Sequence, residues 1–276
     1  MFIRFYSPAP ELRGIVRAYM INHVQLGADE LLPTFPFPPA AEQTLFFYPR
    51  DLMIRFSHRT GKTESQPSSI IVGPQVSRVN ITMGRNHLVI AVFFEPGGLH
   101  RLLGIPMNEL FDYPLDTSLI WAIDIRDVED RLQETDNYDQ MHKIVEAFLW
   151  QRLAQKGLER HPIDAAFQQM LNPARPVSLD YLADQACLSP RQFERKCQER
   201  LGWGPKTFGR IIRFSKAFRL KEQRPDIDWL DVALQCGYYD FRHMLRDFNQ
   251  FAGSTPTLLL REETQTQIRP YTSVRL

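Results

Sequence analysis

Two similar segments in the second half of the chain decide its fold: 182–197, LADQACLSPRQFERKC, and 232–248, VALQCGYYDFRHMLRDF. Corresponding residues are 50 positions apart before the turn and 51 positions apart after it, so the second turn has one extra residue. After the turn, each segment continues from Ser189 or Asp240, and both residue types are preferred helix N-caps. Each segment therefore predicts a helix–turn–helix unit.

The residues around the two segments support this prediction. Gly202 and Gly253 occupy the positions where glycine commonly ends a helix. A third helix is predicted over 205–223, between the two units, with its apolar stripe packed against both. We expect the core of this half to contain Phe193, Trp203, Trp229, Tyr238, Met244 and Phe248.

The charge of the chain is balanced overall but not locally. The whole sequence carries 33 Lys and Arg against 32 Asp and Glu, whereas the segment 191–224 carries 11 basic and three acidic residues. A run of 34 residues with this excess is typical of a surface that binds a polyanion.

Residues 179–260 resemble the two-unit DNA-binding domain of AraC/XylS-type transcription regulators. The resemblance lies in the two segments above, in LGWGPK at 201–206 and in NQFAGSTP at 249–256. The motif FFEPGGLHRLLG at 93–104 resembles the cupin-like sensor domain of such regulators. The resemblance implies sequence-specific binding of double-stranded DNA and action on RNA polymerase. It also departs from the family, since Cys187 stands where the first turn usually has glycine, and 241–244 is FRHM.

The DNA contacts are predicted on the second helix of each unit. Only outward side chains near its N-terminal end can reach base edges. The candidates for base contacts are Arg191, Gln192, Glu194, Arg195, Phe241, Arg242, His243 and Arg246. The candidates for phosphate contacts are Ser189, Lys196, Lys206, Arg210 and Asp240. Cys187 borders the first of these helices, where we expect a buried small hydrophobe rather than a redox switch.

The first half of the chain predicts a different architecture. Short β-branched or aromatic runs at 15–24, 44–48, 52–56, 69–72, 79–83 and 88–94 indicate strands of a small sandwich or barrel, and four prolines between 33 and 39 indicate a loop. Phe46, Tyr48 and Phe93 are candidates for contact with a small-molecule effector inside it. The helix predicted over 138–155, which carries an apolar stripe, is our candidate for self-association into a homodimer.

These patterns together predict an α+β chain of two domains. We expect a cupin-like β-barrel domain with flanking helices over 1–157, an all-α DNA-binding domain with two helix–turn–helix units over 158–262 and a tail over 263–276. Three separated cysteines, the lack of a leader-like N-terminus and apolar runs of at most seven residues favour a cytoplasmic protein with no membrane association.

No catalytic motif is found in the sequence. His23, His58 and His87 show no metal-ligand spacing, so we expect no metal, no cofactor and no enzyme. Two alternatives stay open at this point. One is a DNA-binding module that responds to no effector, and the other is a cupin-type enzyme with an accessory DNA-binding domain.

Overall fold

The computed structural model describes residues 1–156, 161–171 and 177–264 and confirms an α+β chain with a β-rich N-terminal domain and an all-helical C-terminal domain. The strands are β1 (Phe2–Tyr6), β2 (Val16–Gln25), β3 (Thr34–Phe37), β4 (Thr44–Phe47), β5 (Ile54–Ser57), β6 (Thr63–Ser65), β7 (Ser69–Val72), β8 (Val79–Thr82), β9 (Asn86–Phe94) and β10 (Pro114–Asp116). The helices are α1 (Gly98–Leu103), α2 (Ser118–Glu134), α3 (Tyr138–Lys156), α4 (Pro162–Met170), α5 (Leu179–Gln185), α6 (Pro190–Leu201), α7 (Pro205–Gln223), α8 (Trp229–Gln235), α9 (Phe241–Ala252) and α10 (Pro256–Thr264).

Only some of the domain limits predicted from the sequence fall within the residues that the structure describes. The boundary after residue 157 and the segment 265–276 of the predicted tail lie outside them. Within them, α10 continues to Thr264, and Glu263 is buried.

The ten strands hydrogen-bond into two antiparallel sheets. The larger has the order β1-β2-β9-β4-β7-β10 and the smaller the order β3-β8-β5-β6. Their facing sides share one apolar core, to which β2, β4, β7 and β9 contribute from the first sheet and β3 and β8 from the second. All six predicted strands are present, and β1, β3, β6 and β10 were not predicted.

Residues 34–37 of the proline-rich segment form a strand where the sequence predicted a loop, while Pro33, Pro38 and Pro39 lie outside it. Pro36 lies in β3, opposite Asn80 of β8. Because β3 is the outer strand of its sheet, a residue without an N–H group is tolerated there.

The far side of the larger sheet is covered by helices. The apolar stripe of α3 packs into this second core together with α1 and α2. Met141, Val145 and Leu149 of that stripe are fully buried within their own domain. The apolar stripe is therefore not available for self-association, and a dimer through α3 would have to use another side of the helix.

The C-terminal helices follow the predicted repeat. α5 and α6 form the first helix–turn–helix unit, α8 and α9 form the second, and α7 packs against both. Of the six residues assigned to the core, five are buried, and Trp229 packs half-buried at its edge.

The N-terminal domain packs directly on the helical domain. Ala41, in the loop after β3, is part of the C-terminal core. Beside it, Glu42 accepts a hydrogen bond from Arg219 of α7 at 3.0 Å, and the Gln43 amide donates to the Leu201 carbonyl at the end of α6 at 3.0 Å. The chain thus places its β-rich domain in contact with α6, the second helix of the first helix–turn–helix unit.

Candidate nucleic-acid interface

The first helix–turn–helix unit has the helix start that its sequence predicts. Ser189 is the N-cap of α6, where its hydroxyl oxygen accepts the Gln192 N–H at 3.3 Å. The Gln192 side chain accepts the Ser189 N–H at 2.9 Å, which completes a capping box. Pro190 fits the first helical turn, and Gly202 ends the helix with φ +81°.

The second unit is capped in a similar way. The Asp240 carboxylate accepts the His243 N–H at 2.6 Å and is the N-cap of α9, which Gly253 ends with φ +63°. Asp240 was a candidate for a phosphate contact. A carboxylate repels phosphate, and this one already accepts a backbone N–H at the cap. Both facts argue against a phosphate contact.

The turns of the two units differ in residue type but share an unusual backbone. Cys187 has φ +54° and its counterpart Gly237 has φ +81°. This left-handed conformation suits glycine and costs energy in a residue with a Cβ. The Cys187 side chain is exposed, so the expectation that it is a buried hydrophobe is wrong.

Most candidates for base contacts are exposed at the N-terminal ends of α6 and α9. The exposed ones are Arg191, Gln192, Glu194, Arg195, Arg242 and Arg246. Two candidates lie deeper. Phe241 packs its ring against the C-terminal core, and His243 is half-buried with its ring edge-on to Tyr238. The arrangement leaves arginines as the main groups of both recognition helices that can reach DNA.

The candidates for phosphate contacts differ in whether a carboxylate already pairs with their charge. Lys206 is exposed in the first turn of α7, and Ser189 combines its capping role with an exposed helix start. Lys196 donates to both carboxylate oxygens of Glu199 at 2.9 Å. Arg210 donates to the carboxylate of Asp247, which is buried, so its charge is already compensated.

Tyr239 is a residue of this surface that the sequence analysis missed. It lies in the turn before Asp240, and its side chain is 87% exposed. The 51-residue offset that begins at Asp240 makes Tyr239 the extra residue of the second turn. An aromatic side chain with that exposure next to a recognition helix can stack on or hydrogen-bond to DNA.

The interior of the N-terminal domain contains a small cavity. Phe46 and Tyr48, two of the ligand candidates, line it, while Phe93 lies in the same core without lining it. The cavity leaves about 20 Å³ free, room for about one water molecule. Its polar lining is Arg55 and Gln75.

The three histidines discussed for metal binding differ in their surroundings. His23 is bound to the Tyr138 hydroxyl at 2.8 Å and to Asn86 at 2.6 Å, and His58 is bound to Asn80 at 3.0 Å. Burial lowers the pKa of His87 to about 4. Across residues 1–156, 161–171 and 177–264, no three His, Cys, Asp or Glu side chains are grouped to hold a metal ion. In the same ranges no helix is long and apolar enough to cross a membrane.

Two capped helix–turn–helix units with exposed arginines define a DNA-binding protein. Residues 182–262 match the family described as helix-turn-helix domain. This part of the chain is an AraC-type helix–turn–helix domain, and the chain is a DNA-binding regulator. Residues 4–116 match a domain of unknown function, DUF6597. The curated proteins contain no match to the chain.

The chain is similar to several solved structures. ToxT from Vibrio cholerae O395 is 13% identical over 88% of this chain and 96% of its own, with a TM-score of 0.47. Wild-type ToxT from Vibrio cholerae strain SCE256, bound to unsaturated fatty acid, is 11% identical over 91% and 98%, with a TM-score of 0.48. A transcriptional regulator with an AraC-type DNA-binding domain from Chromobacterium violaceum is 25% identical over 38% and 93%, with a TM-score of 0.34.

Proposed function

We propose that this chain is a sequence-specific transcription regulator whose N-terminal domain responds to a small molecule. The observation that carries the first part is the matched pair of recognition helices. Both begin at a capped turn, and both expose arginines in their first two turns, Arg191 and Arg195 on one and Arg242 and Arg246 on the other. Two such helices in one chain suit successive major-groove segments about 34 Å apart.

The chemistry of these ends suits base recognition. An arginine donates two parallel hydrogen bonds to O6 and N7 of guanine, and a good pair contributes about 1–3 kcal/mol of discrimination. Gln192 already uses its amide oxygen in the capping box, while its amide N–H groups stay available to a base. Glu194 is exposed on the same helix and can accept from cytosine N4.

The experiment begins with selection of bound sequences from a random duplex pool. Affinities of the full chain are then measured for the selected duplex and for an unrelated duplex. Arg195→Ala and Arg246→Ala should each weaken the selected complex about 10-fold or more and the unrelated complex far less. Arg131→Ala is the matched control, because Arg131 is an exposed arginine on α2, far from both units in sequence. Equal losses on both duplexes would show that the base-contacting side is misassigned.

The cavity between the sheets is the proposed effector site. Its lining is mostly apolar, with one guanidinium and one amide, which suits an apolar small molecule that carries an acceptor group. The free volume is far below the several hundred Å³ of an ordinary ligand pocket, so binding requires the walls to move. A thermal-shift screen of metabolites, followed by DNA affinity with each hit, tests this. The competing proposal, an effector-independent DNA-binding module, expects DNA affinity to be the same with every hit.

The proposal has three further parts, which are a cytoplasmic location, action on RNA polymerase and self-association. The chain would act in the cytoplasm, where it meets double-stranded DNA, and would change the activity of RNA polymerase at the bound site. A homodimer would have to use a surface other than the buried stripe of α3, and the opposite side of that helix exposes Trp150. Sedimentation of the chain with and without the selected duplex tests the dimer.

A further inference from the structure

The loop between β7 and β8, residues 73–78, lies between the cavity and the helical domain. Gln75 of this loop lines the cavity, as does Arg55 of β5. A molecule larger than one water must displace part of this lining, and Gln75 belongs to both the lining and the loop. A ligand that displaces Gln75 therefore displaces the loop.

Asp112 holds this loop in place. Its backbone N–H donates to the Pro74 carbonyl at 2.9 Å. Its carboxylate accepts the N–H groups of Val76 and Ser77 at 2.8 and 3.2 Å and the Ser77 hydroxyl at 2.9 Å. Arg55 donates to its carbonyl oxygen at 3.3 Å. One residue, buried and in a left-handed conformation with φ +58°, thus joins the cavity wall to the loop.

The other side of the loop contacts the helical domain at three points. The Pro74 ring lies so close to Gly202 that a Cβ on this glycine would overlap it. Val76 packs against the C-terminal core, and Arg78 forms an ion pair with Glu262 of α10. Gly202 ends recognition helix α6, and α10 packs against α9. The loop therefore contacts elements that position both helix–turn–helix units.

We propose that the β7–β8 loop and Asp112 couple the cavity to the recognition helices, with Asp112 as the positioning residue. This inference rests on the proposed effector site and states how that site would regulate DNA binding. A displacement of Gln75 moves Pro74 against Gly202, and a packed contact transmits it because interiors resist compression. Coupling of this kind is reciprocal, so a disturbance at Gly202 must also reach the loop.

The repeat supplies a matched pair of variants for the test. Gly202 and Gly253 end the two recognition helices with φ +81° and +63°, so Ala strains the backbone at both. Only Gly202 faces Pro74, whereas the position of a Cβ at Gly253 is open. Amide hydrogen exchange is measured on the full chain without DNA. Gly202→Ala should speed exchange of the Val76 and Ser77 amides about fivefold or more, and Gly253→Ala should leave them unchanged.

The reverse direction begins at the cavity. Arg55→Met removes the donor to Asp112 and should speed exchange of the Gly202 amide, which donates to the Gln198 carbonyl. Exchange within α3, on the far side of the larger sheet, is the reference for global destabilisation, which would speed α3 and α6 alike. Thr82→Val is the control, because it breaks a hydrogen bond to Thr34 in the same small sheet without touching the loop.

A second readout is affinity for the selected duplex. Asp112→Gly keeps the left-handed backbone but removes the carboxylate, and Asp112→Asn keeps an acceptor. Asp112→Gly should weaken the selected complex several-fold, and Asp112→Asn should restore most of the loss. Equal exchange in the two glycine variants, or unchanged Gly202 exchange in Arg55→Met, would overturn the coupling.

The design separates this inference from the function on which it rests. If Gly202→Ala does not fold, Pro74→Gly withdraws the ring from Gly202 and should abolish the effect of Arg55→Met on α6, and persistence of that effect would overturn the coupling. Absence of sequence preference in the unaltered chain would overturn the proposed function alone, because the exchange measurements use no DNA.

Discussion

Arg210 of α7 and Asp247 of α9 form an ion pair with an N–O distance of 2.6 Å, in which the carboxylate is 1% exposed and the guanidinium side chain 31% exposed. Arg210 also donates to Gln250 at 2.6 Å, and the Tyr238 hydroxyl donates to the same carboxylate at 3.2 Å. The pair ties the helix between the two units to the second recognition helix. Arg210, a phosphate candidate from its sequence position, therefore has a structural role.

Arg210→Ala should destabilise the chain, because Asp247 would stay buried with its charge uncompensated. Loss of a partner from a fully buried pair costs about 3–5 kcal/mol. Arg210 is about one-third exposed, so we expect about 2 kcal/mol in urea unfolding. Asp247→Asn added to Arg210→Ala should recover part of the loss, because the neutral amide needs no counter-charge. A variant as stable as the unaltered chain would contradict the structural role.

Lys206→Ala tests the phosphate role in the residue best placed for it. Its ammonium is exposed, so its removal should weaken the selected and the unrelated duplex about equally and reduce the slope of log affinity against log salt by about one. Lys196→Ala should change that slope less, because Glu199 already neutralises Lys196. The measurement is DNA affinity as a function of KCl concentration. A loss confined to the selected duplex would place Lys206 among the base contacts.

His87 should make the chain acid-sensitive. Burial lowers its pKa to about 4 from an unfolded value of about 6.5, so the unfolded chain takes up a proton first as the pH falls. The free energy of unfolding is therefore unaffected by His87 above pH 6.5. It falls between about pH 6.5 and 4, by about 3 kcal/mol in total, because only the unfolded state is protonated in that range. His87→Gln should flatten this part of the stability profile in urea unfolding. In this variant part of the pH dependence should remain, because burial also lowers the pKa of His100 to about 4. Identical slopes in variant and unaltered chain would refute the assignment to His87.

The helical domain was predictable because its determinants are local. Ser189, Asp240, Gly202 and Gly253 act within one helical turn of their own position, and the repeat shows each of them twice. The strands of the first domain were also largely predictable, since β-branched and aromatic runs favour strands wherever they pair. Pro36 misled the prediction because its tolerance depends on an edge position, which no short segment of sequence determines.

The remaining features depend on partners far away in the chain. The apolar stripe of α3 would look the same in the sequence whether it packed on its own sheet or on a second copy of the chain. The sequence alone therefore cannot distinguish a core helix from a dimer interface. Arg210 resembles its exposed neighbours until α9 brings Asp247 beside it, 37 residues later. The contact of Pro74 with Gly202 joins two loops of different domains, and glycine at a helix end is fully explained by its local role.

Cys187→Gly should stabilise the chain, because Cys187 holds φ +54° at a turn where the second unit has Gly237 at φ +81°. A left-handed residue with a Cβ costs about 1–2 kcal/mol relative to a relaxed backbone, and glycine avoids most of this cost. We expect about 1 kcal/mol more stability in urea unfolding, and a similar loss for Gly237→Ala. Cys187→Ala keeps a Cβ and should change little, which separates backbone strain from the loss of the thiol. If Cys187→Gly and Cys187→Ala were equally stable, the strain at this turn would be absent.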